Sequence, residues 1–232
     1  MTKEDFLERY ESLGEESDFL AAKPLYEQAL AEAADARVLT EYGYLLYAHG
    51  RNELRRAVEL YERAIALDPR NDKPHFQLIA ARAGLLESEL PVAMYEQRLA
   101  AAPHEVREHR FLATAYLNAH ALGRALAVVE AGLELAPDDA ALVALRGEAK
   151  AGLGDPAAAL ADWQCALKLD PDDVGPLYSS AFLLEREGRV AEAIGAWQAI
   201  IDWNESRGYM LQVVWPRQEL ARLRAACTGA SR

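Results

Sequence analysis

The sequence predicts an all-α protein built from tandem pairs of helices. Four prolines recur at intervals of 34 residues, with amphipathic runs of helical length between them: Pro69, Pro103, Pro137 and Pro171. Before three of these prolines, small and large residues alternate on one helical face, as in Ala57, Tyr61 and Ala64. Small residues let two helices approach closely, and the large residue fills the gap between neighbours. The recurrence therefore predicts a repeat of stacked helices.

Composition excludes several classes of protein. The chain has 232 residues, of which 51% are hydrophobic, and a net charge of −12. Such a charge disfavours nucleic acid as a partner, because binding to phosphates depends on Lys and Arg. No apolar stretch is long enough to cross a membrane. The acidic start, MTKEDFLERYESLGEESD, is unlike a signal peptide. We therefore expect a soluble, cytoplasmic protein, with Cys165 as a small buried hydrophobe.

The elements can be assigned in chain order. Residues 1–37 are a degraded first copy that keeps Tyr26 but breaks its helix at Pro24. Five copies follow in one domain: 38–71, 72–105, 106–139, 140–173 and 174–205. Gly154 lies at a turn between paired helices, where a positive φ is needed. Asp155 and Pro156 then predict the N-cap and the first residue of the next helix.

The second copy is irregular. Pro91 and Arg98 stand where the other copies have small residues. A helix that starts after Ser88 places Pro91 in its first turn, where a missing N–H costs little. Arg98 should point toward the neighbouring repeat and needs a partner such as a carboxylate or a carbonyl.

The fourth copy resembles the tetratricopeptide repeat (TPR). The resemblance rests on Gly147, Gly154, Ala159, Trp163, Ala166 and Pro171, and it covers residues 38–203 best. It implies a right-handed α-solenoid of helix-turn-helix repeats, whose concave face is lined by the first helix of each pair. Residues 206–226 would form a capping helix, with Tyr209, Leu211 and Trp215 covering the last repeat, before a disordered tail at 227–232.

The same resemblance implies a partner-binding groove on the concave face. Matching the copies residue by residue assigns nine candidates to it: Tyr42, Lys73, Phe76, Gln77, Arg107, Arg110, Thr114, Tyr178 and Phe182. It also places Leu39, Leu46, Glu148 and Glu185 on this side. Such a groove could hold an extended peptide or a helix of a partner.

Some members of this family hold a peptide's C-terminal carboxylate with a clamp of Lys or Arg and Asn. Arg107 matches one basic position of such a clamp, and Gln77 lies near an Asn position. Tyr42 and Leu46 depart from the pattern, because the clamp requires Lys and Asn there.

The cations Lys73, Arg107 and Arg110 nevertheless form a basic spot flanked by Tyr42 and Phe76. A basic spot beside aromatic rings would recognise an acidic or C-terminal carboxylate group next to an apolar anchor. The alternative is that these side chains solvate an unoccupied face or cover the aromatic residues beside them.

Three functions remain open, and we expect no catalytic, cofactor or metal site. A non-catalytic adaptor that binds a protein or peptide segment fits best. The second interpretation is an assembly or maturation factor that self-associates head-to-tail, because residues 1–34 carry a net charge of −6 and residues 206–232 one of +4. A third, an enzyme on a helical scaffold, requires a site among His75, His109 and Glu148.

Overall fold

The computed structural model of the chain describes residues 16–32, 35–49, 53–209 and 212–229, and every regular element in these ranges is an α-helix. We number the helices α1 (Glu16–Glu32), α2 (Ala36–His49), α3 (Leu54–Leu67), α4 (Lys73–Gly84), α5 (Glu89–Ala101), α6 (Val106–Asn118), α7 (Leu122–Leu135), α8 (Ala140–Gly152), α9 (Pro156–Leu169), α10 (Gly175–Arg186), α11 (Val190–Ser206) and α12 (Val214–Gly229). Each described helix from α2 to α11 thus belongs to one of five pairs, as the repeat predicts.

Contacts divide the chain into two compact units. The N-terminal unit is Met1–Ala121 and contains α1 to α6, and the C-terminal unit is Leu122–Arg232 and contains α7 to α12. The division falls between α6 and α7, the two helices of the predicted copy 106–139. Within each unit, helices pack against their sequence neighbours and against helices two positions away, which is the contact pattern of stacked repeats.

The recurring small and large residues form the core of each repeat. In the fourth copy, Ala159, Trp163 and Ala166 of α9 are buried. A Cβ on Gly147 of α8 would lie 2.6 Å from Trp163 Nε1, so only glycine allows this close approach. The indole N–H of Trp163 also donates to the carbonyl of Ala144, at 3.2 Å. Packing and hydrogen bonding therefore join the two helices of the repeat.

The turns inside the later helix pairs use a left-handed residue. Gly154 and Gly188 have φ of +88° and +69°. Leu86 and His120 adopt positive φ in the equivalent turns of the second and third copies, at some cost in strain. Asp155 caps α9 by accepting a hydrogen bond from a backbone N–H of the first turn, at 3.0 Å. The predicted N-cap and the predicted turn at Gly154 are confirmed.

Several local expectations are wrong. Helix α1 continues through Pro24, which is exposed, although proline lacks the N–H that a residue inside a helix donates. Cys165 is exposed, because α9 turns its apolar stripe of Ala and Trp away from it. Helix α2 starts at Ala36, before the predicted copy 38–71, and α12 includes residues 227–229 of the predicted tail. Leu211 and residues 230–232 lie outside the described residues.

No helix in the described part of the chain combines the length and the hydropathy that crossing a bilayer requires.

Candidate functional site

In the N-terminal unit, six predicted groove residues lie on α4 and α6, two helices that pack against each other, and two of the six are the cations Lys73 and Arg107. Phe76, Gln77, Arg110 and Thr114 are all half-buried. The ring of Phe76 meets that of Phe111 edge-on, with 5.0 Å between centroids. These four side chains are partly covered by the protein and still reach solvent, as residues of a binding face must.

Two of the predicted cations already have carboxylate partners. Lys73 Nζ lies 2.5 Å from Glu41 Oε1, and its side chain is 52% exposed. Arg107 is held more firmly: it lies 2.8 Å from Asp72 Oδ1 and donates to the carbonyl of Pro69 at 2.9 Å. A surface pair such as Lys73–Glu41 contributes little to stability and can exchange partners. Arg107 has less freedom to do so.

Tyr42 is a correction to the predicted groove. Its ring is 1% exposed and stacks on Tyr26 of α1, with 5.3 Å between centroids. Its hydroxyl donates to Glu27 of α1 at 2.9 Å. Leu39 and Leu46 are buried as well. Helix α1 covers this part of α2, so the first full copy does not present these residues to a partner.

Beneath the face of α4 and α6 lies a buried histidine. His75 Nε2 is 3.3 Å from the carbonyl oxygen of Pro69, and Nδ1 is 2.9 Å from the hydroxyl of Tyr95. A carbonyl can only accept, so Nε2 carries the proton and Nδ1 accepts from Tyr95. Phe111 stacks on the imidazole at 4.5 Å. Burial lowers the pKa of His75 to about 4, and the charge of Arg98 acts in the same direction.

The partner that Arg98 was predicted to need is Glu108 of the next repeat. The guanidinium makes two hydrogen bonds to this carboxylate, at 2.8 and 2.7 Å. Burial by itself would raise the pKa of Glu108, but the hydrogen bonds and charge of Arg98 outweigh it and hold the pKa below its usual range. The irregular second copy is therefore joined to the third by a bidentate ion pair. Pro91 lies in the first turn of α5, as expected.

In the C-terminal unit, the predicted groove residues belong to an aromatic cluster. Tyr178 and Phe182 of α10 both contact Trp197, which is fully buried on α11. Trp215 of α12 stacks on Tyr178 at 6.0 Å and lies 5.8 Å from Phe182. Phe182 remains 50% exposed and Trp215 43% exposed. The predicted contact of Trp215 with the last repeat is confirmed, and Tyr209 likewise contacts Trp203.

Two glutamates flank this aromatic cluster. Glu185 of α10 accepts a hydrogen bond from the indole N–H of Trp197, at 2.6 Å, and pairs with Arg222 of α12. Glu148 of α8 accepts a hydrogen bond from the hydroxyl of Ser179 on α10. Burial raises the pKa of Glu148, and the hydrogen bond from Ser179 offsets only part of that rise. The residue-by-residue match found Glu148, but it gave no sign of Ser179.

The two histidines of the catalytic alternative, His75 and His109, both make contacts within the N-terminal unit. Both ring nitrogens of His75 have partners, and His109 Nδ1 lies 3.3 Å from its own helix's Glu105 carbonyl. Glu148 lies in the C-terminal unit, where Ser179 is its hydrogen-bond partner. Within the ranges that the structure describes, no three His, Cys, Asp or Glu residues are placed to hold a metal ion.

Comparison with family models and with curated proteins gives no match. Solved structures do match. A thermophilic TPR protein of Thermus thermophilus is 21% identical, with a TM-score of 0.63 over 82% of this chain and 99% of that chain. Yeast Tom70 is 15% identical, with a TM-score of 0.58 over 93% of this chain and 45% of that one.

The Cut9–Hcn1 hetero-tetramer of the APC/C is 12% identical, with a TM-score of 0.60 over 91% of this chain and 43% of that one. The chain thus spans less than half of the length of the last two proteins. These likenesses show the fold. It is the fold that the sequence predicted, an α-solenoid of tetratricopeptide helix pairs.

Proposed function

We propose that the protein is a non-catalytic interaction scaffold that binds a segment of another protein on the first helices of its repeats. The observation that carries this proposal is the pair of half-exposed rings, Phe182 and Trp215, in the C-terminal unit. Exposed aromatic rings in mutual contact are costly to leave in water, and aromatic anchors dominate the energy of protein interfaces. The rings are already held by Trp197, so little conformational entropy is lost on binding.

The N-terminal unit supports a second contact, with an acidic or C-terminal carboxylate group beside an apolar anchor. Phe76 offers the apolar surface, and Lys73 offers a charge on a side chain that is 52% exposed, although its partner Glu41 is only 18% exposed. An incoming carboxylate can share the Lys73 ammonium group with Glu41, because the ammonium carries three donors. Arg107 contributes to the positive potential here, while its side chain stays on Asp72 and Pro69.

The test is capture of partners from a lysate of the source organism, with wild type and single variants as bait. Phe182→Ala removes a ring of the proposed site. Leu153→Ala is the matched control, because Leu153 is also half-exposed (52%) in the same unit, outside the aromatic cluster. We expect a partner that wild type and the control capture and that Phe182→Ala loses. Equal capture by all three baits would contradict the proposed face.

Head-to-tail assembly is less well supported. Arg217 and Arg222, two of the arginines near the C-terminus, already pair with Glu205 and with Glu185 and Glu219. Half of the acidic segment that they would meet, including residues 1–15, lies outside the described residues. Measuring the size of the protein in solution at low and high salt tests this alternative, because an oligomer held by charge dissociates when salt screens it.

A further inference from the structure

We propose that the C-terminal unit binds a lysine or arginine side chain of the partner, with Glu148 as the counter-ion and Phe182 as the aromatic wall. This inference rests on the proposed function, because it names the chemistry that this face recognises. It concerns only α8 and α10, whose contact is direct.

The first argument is that Glu148 has a hydrogen bond but no cation. The hydroxyl of Ser179 donates to Oε1. Across the ranges that the structure describes, Oε2 has no hydrogen-bond partner, and neither carboxylate oxygen lies within 4.0 Å of a basic nitrogen. Glu148 is only partly buried, so a ligand can reach it. Its carboxylate can therefore accept further hydrogen bonds from outside.

The second argument comes from the other carboxylates that are withdrawn from solvent. Asp162, at 6% exposure, takes two hydrogen bonds from Arg146 and one from Lys150, at 2.7–3.0 Å. Glu108, equally buried, has its bidentate Arg98. Both carry their compensating charge within the chain. Glu148 has no such compensating charge. Removing a carboxylate from water without a cation costs free energy, and a bound cation of the ligand would offset that cost.

The third argument is the position of the aromatic rings. Phe182 lies three residues after Ser179 on α10, so these two side chains are neighbours on the surface of the helix. A cation that contacts Glu148 beside Ser179 is thus within one helical turn of an exposed ring face. Carboxylate and aromatic surfaces together recognise both the charge and the apolar stem of lysine or arginine. The net charge of −12 favours a basic segment over long range.

The experiment is selection of a random peptide library displayed on phage against three baits. They are wild type, Glu148→Gln, and Glu134→Gln as the matched control, since Glu134 is an exposed glutamate of α7 in the same unit. Glutamine keeps an acceptor for the Ser179 hydroxyl and removes only the charge. We expect basic residues beside apolar ones to be enriched on wild type and on the control, and not on Glu148→Gln.

A selected peptide then measures the interaction between Glu148 and the basic residue of the peptide directly. Replacing its basic residue by norleucine should weaken binding to wild type by about tenfold and leave binding to Glu148→Gln unchanged. Equal losses on both proteins, or selected peptides with no basic residue, would overturn the cation site and leave the scaffold function standing. Selection of no peptide by wild type, or of peptides that bind Phe182→Ala equally well, would overturn both.

Discussion

The buried imidazole of His75 should make the stability of the protein fall in mild acid. Burial lowers its pKa to about 4, whereas an unfolded histidine titrates near 6.5. Between these values the unfolded chain binds the additional proton. The contribution of the neutral His75 imidazole to the free energy of unfolding is therefore complete above about pH 6.5 and is lost as the pH falls toward 4. A shift of about 2.5 units corresponds to about 3 kcal/mol in full, and to about 2 kcal/mol between pH 7 and pH 5.

The surroundings of the imidazole explain why it stays neutral. Protonation would place a positive charge beside Arg98 and Arg107, and Nδ1 could no longer accept the hydrogen bond from Tyr95. Glu108 and the carbonyl of Pro69 favour the charged form, but they do not offset burial.

The assay is denaturant unfolding at pH 5, 6 and 7 for wild type and His75→Gln. The variant should be less stable at pH 7, and the difference from wild type should shrink by about 2 kcal/mol on going to pH 5. A proton NMR titration of the ring gives the pKa directly. An imidazole that titrates near 6.5, or a difference in stability that does not change with pH, would refute the reasoning.

Three further substitutions test other parts of the structure by thermal and denaturant unfolding. Arg98→Met should cost about 2–3 kcal/mol by leaving Glu108 buried without its partner, and adding Glu108→Gln should restore part of it; an additive loss would mean that the pair does not matter. Gly147→Ala should cost about 1–3 kcal/mol, because its Cβ would meet Trp163 at 2.6 Å, and a neutral result would contradict that contact. Glu148→Gln should stabilise the protein by about 1 kcal/mol at pH 7, and the gain should be lost as the pH falls below about 4, where the wild-type carboxyl becomes protonated in the unfolded chain as well as in the folded one; a loss of stability at pH 7 would show that the charge is compensated.

The repeat could be predicted from the sequence because its determinants are local. Ala159, Trp163 and Ala166 lie within one helix, and their spacing alone predicts which face of that helix is buried. The need of Arg98 for a partner was also visible, since it replaces a small residue at a packed position. Its partner, Glu108, comes from the next copy, which stacks on the second copy in the register that the repeat sets.

The candidate site was predicted less completely, because it depends on contacts between distant segments. No local sequence pattern predicts that Tyr26 covers Tyr42, or that Asp72 and Pro69 hold Arg107. Such pairings depend on how far each helix is rotated in its layer. The helical phase also misplaced Cys165, since a residue at the edge of an apolar stripe can lie on either side of the boundary.

The location of the tryptophans gives the C-terminal unit an optical signal of its own. Trp163, Trp197, Trp203 and Trp215 are the four tryptophans of the chain, and all belong to the C-terminal unit. Indole emission therefore reports the melting of that unit, whereas far-ultraviolet circular dichroism reports helices from both. Superimposed melting curves would mean that the units unfold as one cooperative block, and separated curves would give each unit a stability of its own.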